Sequence, residues 1–307
     1  MEESNPHEDN RNHLNNLEGS EQSNPAHNEN SSCTDQDNPS CALQADLEEN
    51  NSLERAKLLF GNDGIDTLQN CTVVVAGCGG VGSFAIESLA RSGVGKLVLI
   101  DKDVVEASNL NRQLCALKST VGQAKTEILK ERIADIRPET EVIAYTGWYD
   151  KELNDWLLSQ HPDYILDCID SMRSKQDLIS FALDHKIPLL SSMGMARRKD
   201  PTKIEIMELE KTTNDPMAKV MRNWKRKNKI RQKIMTVCST ELPIGMEPGK
   251  SLPSAIFVPA TAGLTMGGRC VQDLMKQRKT SGQSVSSKDL ESAAKDGTGL
   301  DSTKGVF

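Results

Sequence analysis

The sequence predicts an α/β protein with a doubly wound, mostly parallel sheet and a C-terminal α+β extension. Three observations carry this. Short apolar runs rich in β-branched residues alternate with helical stretches from about residue 55 to residue 192. A glycine turn, Gly77-Cys78-Gly79-Gly80-Val81-Gly82, directly follows the first run. Strand, turn, helix and next strand fit into about thirty residues, the span of one right-handed βαβ unit.

Taken in order, residues 58–68 read as a short opening helix that ends near Gly61 or Gly64. The β-branched content of CTVVVA at 71–76 predicts a strand buried on both faces, and Gly77 ends it at once. A helix at 84–91 is stopped by Gly93 and Gly95, and 96–100 is the next strand. In 122–136, Ile128, Leu129, Ile133 and Ile136 share one side of a helix that ends before Pro138. Strands at 141–145, 163–167 and 187–192 alternate with helices at 151–158 and 174–184. From Met193 the pattern changes to a strand at 203–209, a basic helix within 217–233, a proline- and glycine-containing loop at 242–254 and a last helix at 261–275.

Charge divides the chain. Residues 1–54 hold thirteen acids and one basic residue, Arg11, so residues 55–307 carry +5 although the chain as a whole is −7. The acidic segment 1–51 has almost no aliphatic periodicity and is expected to be disordered, offering a surface for a protein partner. A second disordered tail is expected at 279–307, leaving 52–278 as the folded domain, with a basic segment at about 197–235. No stretch has a leader pattern or the length of a membrane span, so a cytoplasmic protein is expected. The eight cysteines are scattered and form no Cys-x-x-Cys pair, which argues against a disulfide framework and against a four-cysteine zinc site.

Lack of a Cβ in the glycine turn lets backbone N–H groups approach a phosphate at a helix N-terminus. Asp101, closing the next strand, can accept both hydroxyls of a ribose. Together they point to a nucleotide without saying which one. The stretch Ser108-Asn109-Leu110-Asn111-Arg112-Gln113 and Lys125 discriminate. A nicotinamide enzyme needs little positive charge beyond its turn, whereas breaking ATP between the α and β phosphates requires cations at the departing pyrophosphate. Arg112 and Lys125 are the candidates for that catalytic role. Asp167 ends a strand, and Asp170 in the loop beyond it is placed to hold Mg²⁺ against phosphates or to cap the next helix. Eight lysines and arginines between Lys219 and Lys233, with no acid among them and Trp224 alongside, make either a solvated helix face or an RNA contact.

Residues 55–61 (RAKLLFG), 76–83 (AGCGGVGS), 101–113 (DKDVVEASNLNRQ), Lys125 and 167–175 (DCIDSMRSK) resemble the ubiquitin-activating-enzyme-like superfamily of adenylating enzymes, a Rossmann-like fold. The resemblance implies that Gly77, Gly79, Gly80, Gly82 and Asp101 bind ATP. It also implies that Ser108, Asn109, Arg112 and Lys125 contact its phosphates, that Ser171 belongs to the ATP site, and that Asp170 serves the magnesium. Arg55 matches a basic residue that reaches into the neighbouring site of a homodimer. Within the superfamily, residues 187–206, 212–216 and 237–243 (VCSTELP) resemble the tRNA threonylcarbamoyladenosine dehydratases.

That branch implies adenylation of the threonyl carboxylate at adenosine 37 in the anticodon loop, closure of a ring by the neighbouring ureido group, and release of AMP. It also implies RNA contact by Arg197, Arg198, Arg222, Lys225, Arg226 and Lys229. The ring closure is intramolecular and needs no covalent cysteine, so Cys238, placed after an apolar strand, is expected to be an inert core residue. The acidic extension and a shortened 233–260 linker depart from the bacterial pattern. The rival readings are activation of the C-terminal glycine of a ubiquitin-like or sulfur-carrier protein, a nicotinamide-dependent oxidoreductase, and a non-catalytic RNA-binding scaffold.

Overall fold

The structure, a computed structural model, describes residues 52–245, 249 and 251–282. The acidic segment 1–51 and residues 283–307 lie outside the described residues, and so do the expectations attached to them. Two short helices come first, α1 (Glu54–Phe60) and α2 (Asn62–Gln69), followed by β1 (Thr72–Ala76), α3 (Gly82–Arg91) and β2 (Lys96–Asp101). Next come α4 (Lys125–Ile136), β3 (Glu141–Thr146), α5 (Asn154–Ser159), β4 (Tyr164–Asp167), α6 (Met172–Asp184) and β5 (Leu189–Ser192). The extension adds β6 (Ile204–Glu208), α7 (Pro216–Lys227), β7 (Met235–Ser239) and α8 (Phe257–Gly282).

The seven strands lie in the order β3-β2-β1-β4-β5-β7-β6. All neighbours are parallel except the pair β6 and β7 at one edge. Alternation along β1 explains why this run is apolar throughout. Val73 and Val75 join the core under α2, α3, α4 and α8, with Leu68, Ile86, Leu129 and Met266. Val74 and Ala76 join the opposite core with Leu157, Leu178 and Phe181. A third cluster lies beneath α7, where Ala218 and Met221 meet Ile179, Leu209 and Cys238.

Several element boundaries differ from expectation for identifiable reasons. The single opening helix is two, because Gly61 has φ +76° and breaks it. Residues before Lys125 form turns and an isolated bridge between Val104 and Ala124, so α4 begins three residues later than its amphipathic pattern suggests. The basic helix stops at Lys227, and Lys229, Arg231 and Lys233 follow it in irregular chain. Cys238 lies inside β7, a five-residue strand hidden between the basic stretch and the loop. The last helix runs from Phe257 to Gly282, longer at both ends than expected. No helix among the described residues is long and apolar enough to cross a membrane.

Candidate functional site

The chain leaves β1 for β2 on one side, and the connection from β3 returns to lay β4 on the other side of β1, so a crevice opens at the carboxyl ends of these strands where the order reverses. A cleft of about 570 Å³ occupies it. Gly77 turns out of β1 with φ +93°, and a Cβ there would stand 2.5 Å from the carbonyl oxygen of Cys168. Gly82 opens α3, where a Cβ would stand 1.7 Å from the Gly77 carbonyl oxygen. Any other residue at either place would push β1, α3 and the loop after β4 apart. Gly79 and Gly80 line the cleft, and their bare backbone lies beside the N-terminus of the ten-residue α3, the arrangement that favours an anion.

Asp101 ends β2 and ties the turn to the sheet. One carboxylate oxygen accepts the Cys78 N–H at 2.6 Å and the other accepts the Asp103 N–H at 2.8 Å. A carboxylate has further lone pairs, so these bonds leave capacity for ligand hydroxyls. Beyond it, Asn109 is buried and its side-chain oxygen accepts the Glu106 N–H at 3.1 Å, closing the turn that presents Arg112. Arg112 donates to the Ser108 carbonyl at 2.7 Å and to the Asn111 side-chain oxygen at 2.9 Å, both neutral acceptors, so its charge has no carboxylate counterpart in these bonds. Lys125, buried at the start of α4, donates to Asp103 at 3.0 Å. Burial pushes the Asp103 carboxyl up, but hydrogen bonds from Lys102 and Lys125 outweigh it and hold it below the usual range.

The structure brings Gly77, Gly79, Gly80, Asp101, Asn109 and Arg112 to one cleft, with Lys125, Asp170 and Ser171. Gly82 supports that cleft from behind. Ser108 and Arg55 do not line it; Ser108 contributes its carbonyl to Arg112, and Arg55 is exposed on α1. Asp170 is exposed in the loop after β4 and is not the cap of α6, because Ser171 holds that position. The Ser171 hydroxyl is buried without a hydrogen-bond partner. No group of three or more potential metal-ligating side chains occurs among the described residues.

Asp167 and Lys175, which the sequence placed only at a strand end and within a motif, and Trp148, which it did not single out, take roles of their own. Asp167 is fully buried, accepts from Lys175 Nζ at 2.7 Å and from the Ser191 hydroxyl at 2.6 Å, and so fixes the loop that carries Asp170. Trp148, just after β3, lines the cleft beside Lys102 and is 56 % exposed. The signal for Asp167 and Lys175 was their spacing across the start of a helix; Trp148 had none.

The expected RNA face is corrected in part. Arg198 is buried and pairs with Asp215 at 3.0 Å, with further bonds to the Gly194 and Asn214 carbonyls, so it buckles the chain and does not face solvent. Lys225 is buried and paired with Glu210. Arg222 is half-buried against the Thr212 carbonyl at 2.8 Å. Arg197 is half-buried, and its side chain donates to the Ile244 carbonyl at 2.7 Å. Arg226 and Lys229 are exposed. Cys238 is buried, and burial foremost, then nearby Asp215, pushes its thiol up to about 12, which fits an inert core residue.

A glycine turn, a carboxylate at the end of β2 and the cations Lys102, Arg112 and Lys125 around one switch-point crevice define a doubly wound α/β protein whose crevice suits a nucleotide. Residues 53–274 match the ThiF family, and the chain belongs to it. It is 45% identical over 238 residues to a tRNA threonylcarbamoyladenosine dehydratase of Bacillus subtilis, covering 72% of this chain and 94% of that relative. Solved structures of the Escherichia coli tRNA N6-threonylcarbamoyladenosine dehydratase superpose with it. The complex with AMP has a TM-score of 0.71 at 32% identity, and the complex with ATP has 0.70 at 33%. Each match covers 75% of this chain and 96% of that one.

Proposed function

We propose that the protein is an ATP-dependent tRNA threonylcarbamoyladenosine dehydratase. The observation that carries this reading is the approach of Arg112 and Lys125 to the glycine turn, in a chain that spans nearly the whole of a relative bearing that name. A carboxylate is a poor electrophile and is repelled by ATP, so phosphate charge must be neutralised first. A carboxylate oxygen of the substrate attacks the α phosphorus and pyrophosphate departs toward the two cations. The ureido nitrogen then attacks the activated carbonyl, loses its proton to solvent, and AMP leaves with the former carboxylate oxygen. The net change is loss of one water from the modified base. The second attack is intramolecular and needs little more than orientation.

Mg²⁺ fits this site as an ion held mostly by phosphates, which typically takes only one or two protein carboxylates. Asp170 would hold it, with its free carboxylate facing the cleft; bound there, the ion supplies charge neutralisation for the pyrophosphate. The exposed Arg226 and Lys229, not the buried Arg198 and Lys225, are the residues we assign to the RNA backbone. On α1, Leu58 and Leu59 are 84% and 76% exposed beside Arg55, which suits a face shared by two copies of the chain. Incubation with ATP, Mg²⁺ and tRNA carrying threonylcarbamoyladenosine should yield AMP, pyrophosphate and a base lighter by one water by mass spectrometry. Pyrophosphate exchange driven by a carrier protein and not by this tRNA would overturn the reading.

A further inference from the structure

The strand order measures out the cleft. Asp101 ends β2, Gly77 follows β1, Asp170 follows β4 and Ser192 ends β5, on successive neighbouring strands, each step about 4.8 Å. Ribose at Asp101 and phosphate at the turn use the first half of this edge. Arg112 and Lys125 both belong to the segment that leaves β2, so the departing pyrophosphate is drawn to that side. An in-line displacement puts the attacking oxygen opposite the leaving one. The carboxylate must therefore come from the side of β4 and β5.

There the cleft is lined by Ser192, Met193, Gly194, Met195 and Ala196, with Met217 from the start of α7 and Leu252 from the loop before α8. Met193 and Met195 are buried. The amides of Gly194, Met195 and Ala196 donate no hydrogen bond to any described residue. Met195 is buried and Gly194 and Ala196 are half-buried, positions at which backbone donors normally find an acceptor in protein, water or ligand. The segment is also fixed from behind, because the buried Arg198–Asp215 pair holds the Gly194 carbonyl and a Cβ at Gly194 would stand 3.1 Å from Asp215. Fixed amide donors beside polarisable thioethers suit an anion that carries a short aliphatic group.

We infer that Ser192–Ala196, together with Met217 and Leu252, is the acyl pocket of this enzyme. It receives an amino-acid carboxylate on the free amides and its short side chain against Met195 and Met217. This rests on the dehydratase reading above and adds to it a basis for choosing among acyl groups.

The test compares tRNA carrying threonylcarbamoyladenosine with tRNA carrying its glycylcarbamoyl counterpart, in the parent chain, Met195→Trp and Met217→Phe. Thermal melts and ATP affinity establish which variants keep the fold and the nucleotide site. The parent should favour the threonyl form by about tenfold or more in kcat/KM, the scale of one small aliphatic group in a fitted pocket. A folded variant should lose that preference through a raised KM for the threonyl form, its kcat/KM falling at least about tenfold further for the threonyl than for the glycyl tRNA. Should Met195→Trp fail to fold, Met217→Phe, at a half-buried position near the helix start, decides the matter. Parental discrimination in a folded variant overturns the pocket alone. Absence of turnover of either tRNA by the parent overturns the dehydratase reading and the pocket with it.

Discussion

Lys125 Nζ lies 3.0 Å from Oδ2 of Asp103, joining a buried cation to a carboxylate whose side chain is 44% exposed. Asp103 is shared with Lys102, so Lys125 is held in the cleft wall by a partner it can exchange. A triphosphate offers more negative charge than this carboxylate, and the ammonium is already desolvated on its other sides. On the proposed reading, the pair keeps the cation positioned for a nucleotide phosphate.

Replacing Lys125 should therefore act on chemistry more than on nucleotide affinity. Lys125→Met is expected to reduce tRNA-dependent pyrophosphate exchange by about 100-fold to 1000-fold, the usual cost of one charge-stabilising donor. Asp103→Asn removes the storage partner and keeps the cation, so it should retain exchange within about tenfold. Equal losses in the two variants would show that the pair serves only the fold.

Trp148 gives the nucleotide site a reporter. Thr146, at the end of β3, pairs in register with Asp101, so the exposed indole two residues later lines the same cleft as Asp101, the carboxylate we propose for the ribose. Lys102 Nζ lies 4.4 Å from its ring centroid. An adenine beyond that ribose can stack on the free face. ATP should change Trp148 fluorescence, and Trp148→Ala should abolish the change and weaken ATP about tenfold, since base stacking on an aromatic is worth about 1–3 kcal/mol. Trp156 and Trp224 remain as an internal baseline. An undiminished signal from Trp148→Ala would remove the platform.

How much of this was legible depended on whether the information was local. The β1 turn, Asp101 and the paired Arg112 and Lys125 follow from short-range rules, because a strand end, a glycine turn and a helix start lie within one supersecondary unit. Trp148 joins the site only through the pairing of β3 with β2, a relationship that neither stretch encodes alone. The charge of Arg198 says nothing about its burial, which depends on Asp215, seventeen residues away. Lys225 could have been caught, since Ala218, Met221 and Lys225 repeat at helical spacing on one buried face. Density of positive charge concealed that pattern.

Acid should weaken the fold partly through Glu87. Burial raises this carboxyl, but hydrogen bonds from Arg132 and then Arg91 outweigh it, leaving it below its ordinary 4.5 when folded. A carboxyl depressed on folding adds stability that is complete above its unfolded value and is lost as pH falls through the folded one. Urea melts from about pH 7 down to about pH 3 should show the parent losing stability below about pH 4.5, and Glu87→Gln losing less over that window. Identical slopes for the two proteins would mean that the arginine contacts do not survive in solution.

Burial also separates two arginines that look alike in sequence. Arg198 pairs with a fully buried Asp215, which in turn accepts the Ala218 N–H at 2.7 Å as the cap of α7. Arg198→Ala leaves that carboxylate buried with its cation gone, a change that typically costs about 3–5 kcal/mol. Arg226 is exposed near the end of the same helix and Lys229 lies two residues past it. Arg226→Glu with Lys229→Glu should leave the melting temperature near the parent's while raising KM for tRNA. The salt dependence of binding should also become shallower, by about 0.9 in log–log slope for each phosphate no longer neutralised on a duplex and about 0.7 on single-stranded RNA. If Arg198→Ala instead melted like the parent and lost tRNA binding, the inward assignment of that side chain would be wrong, and the basic face would extend across both arginines.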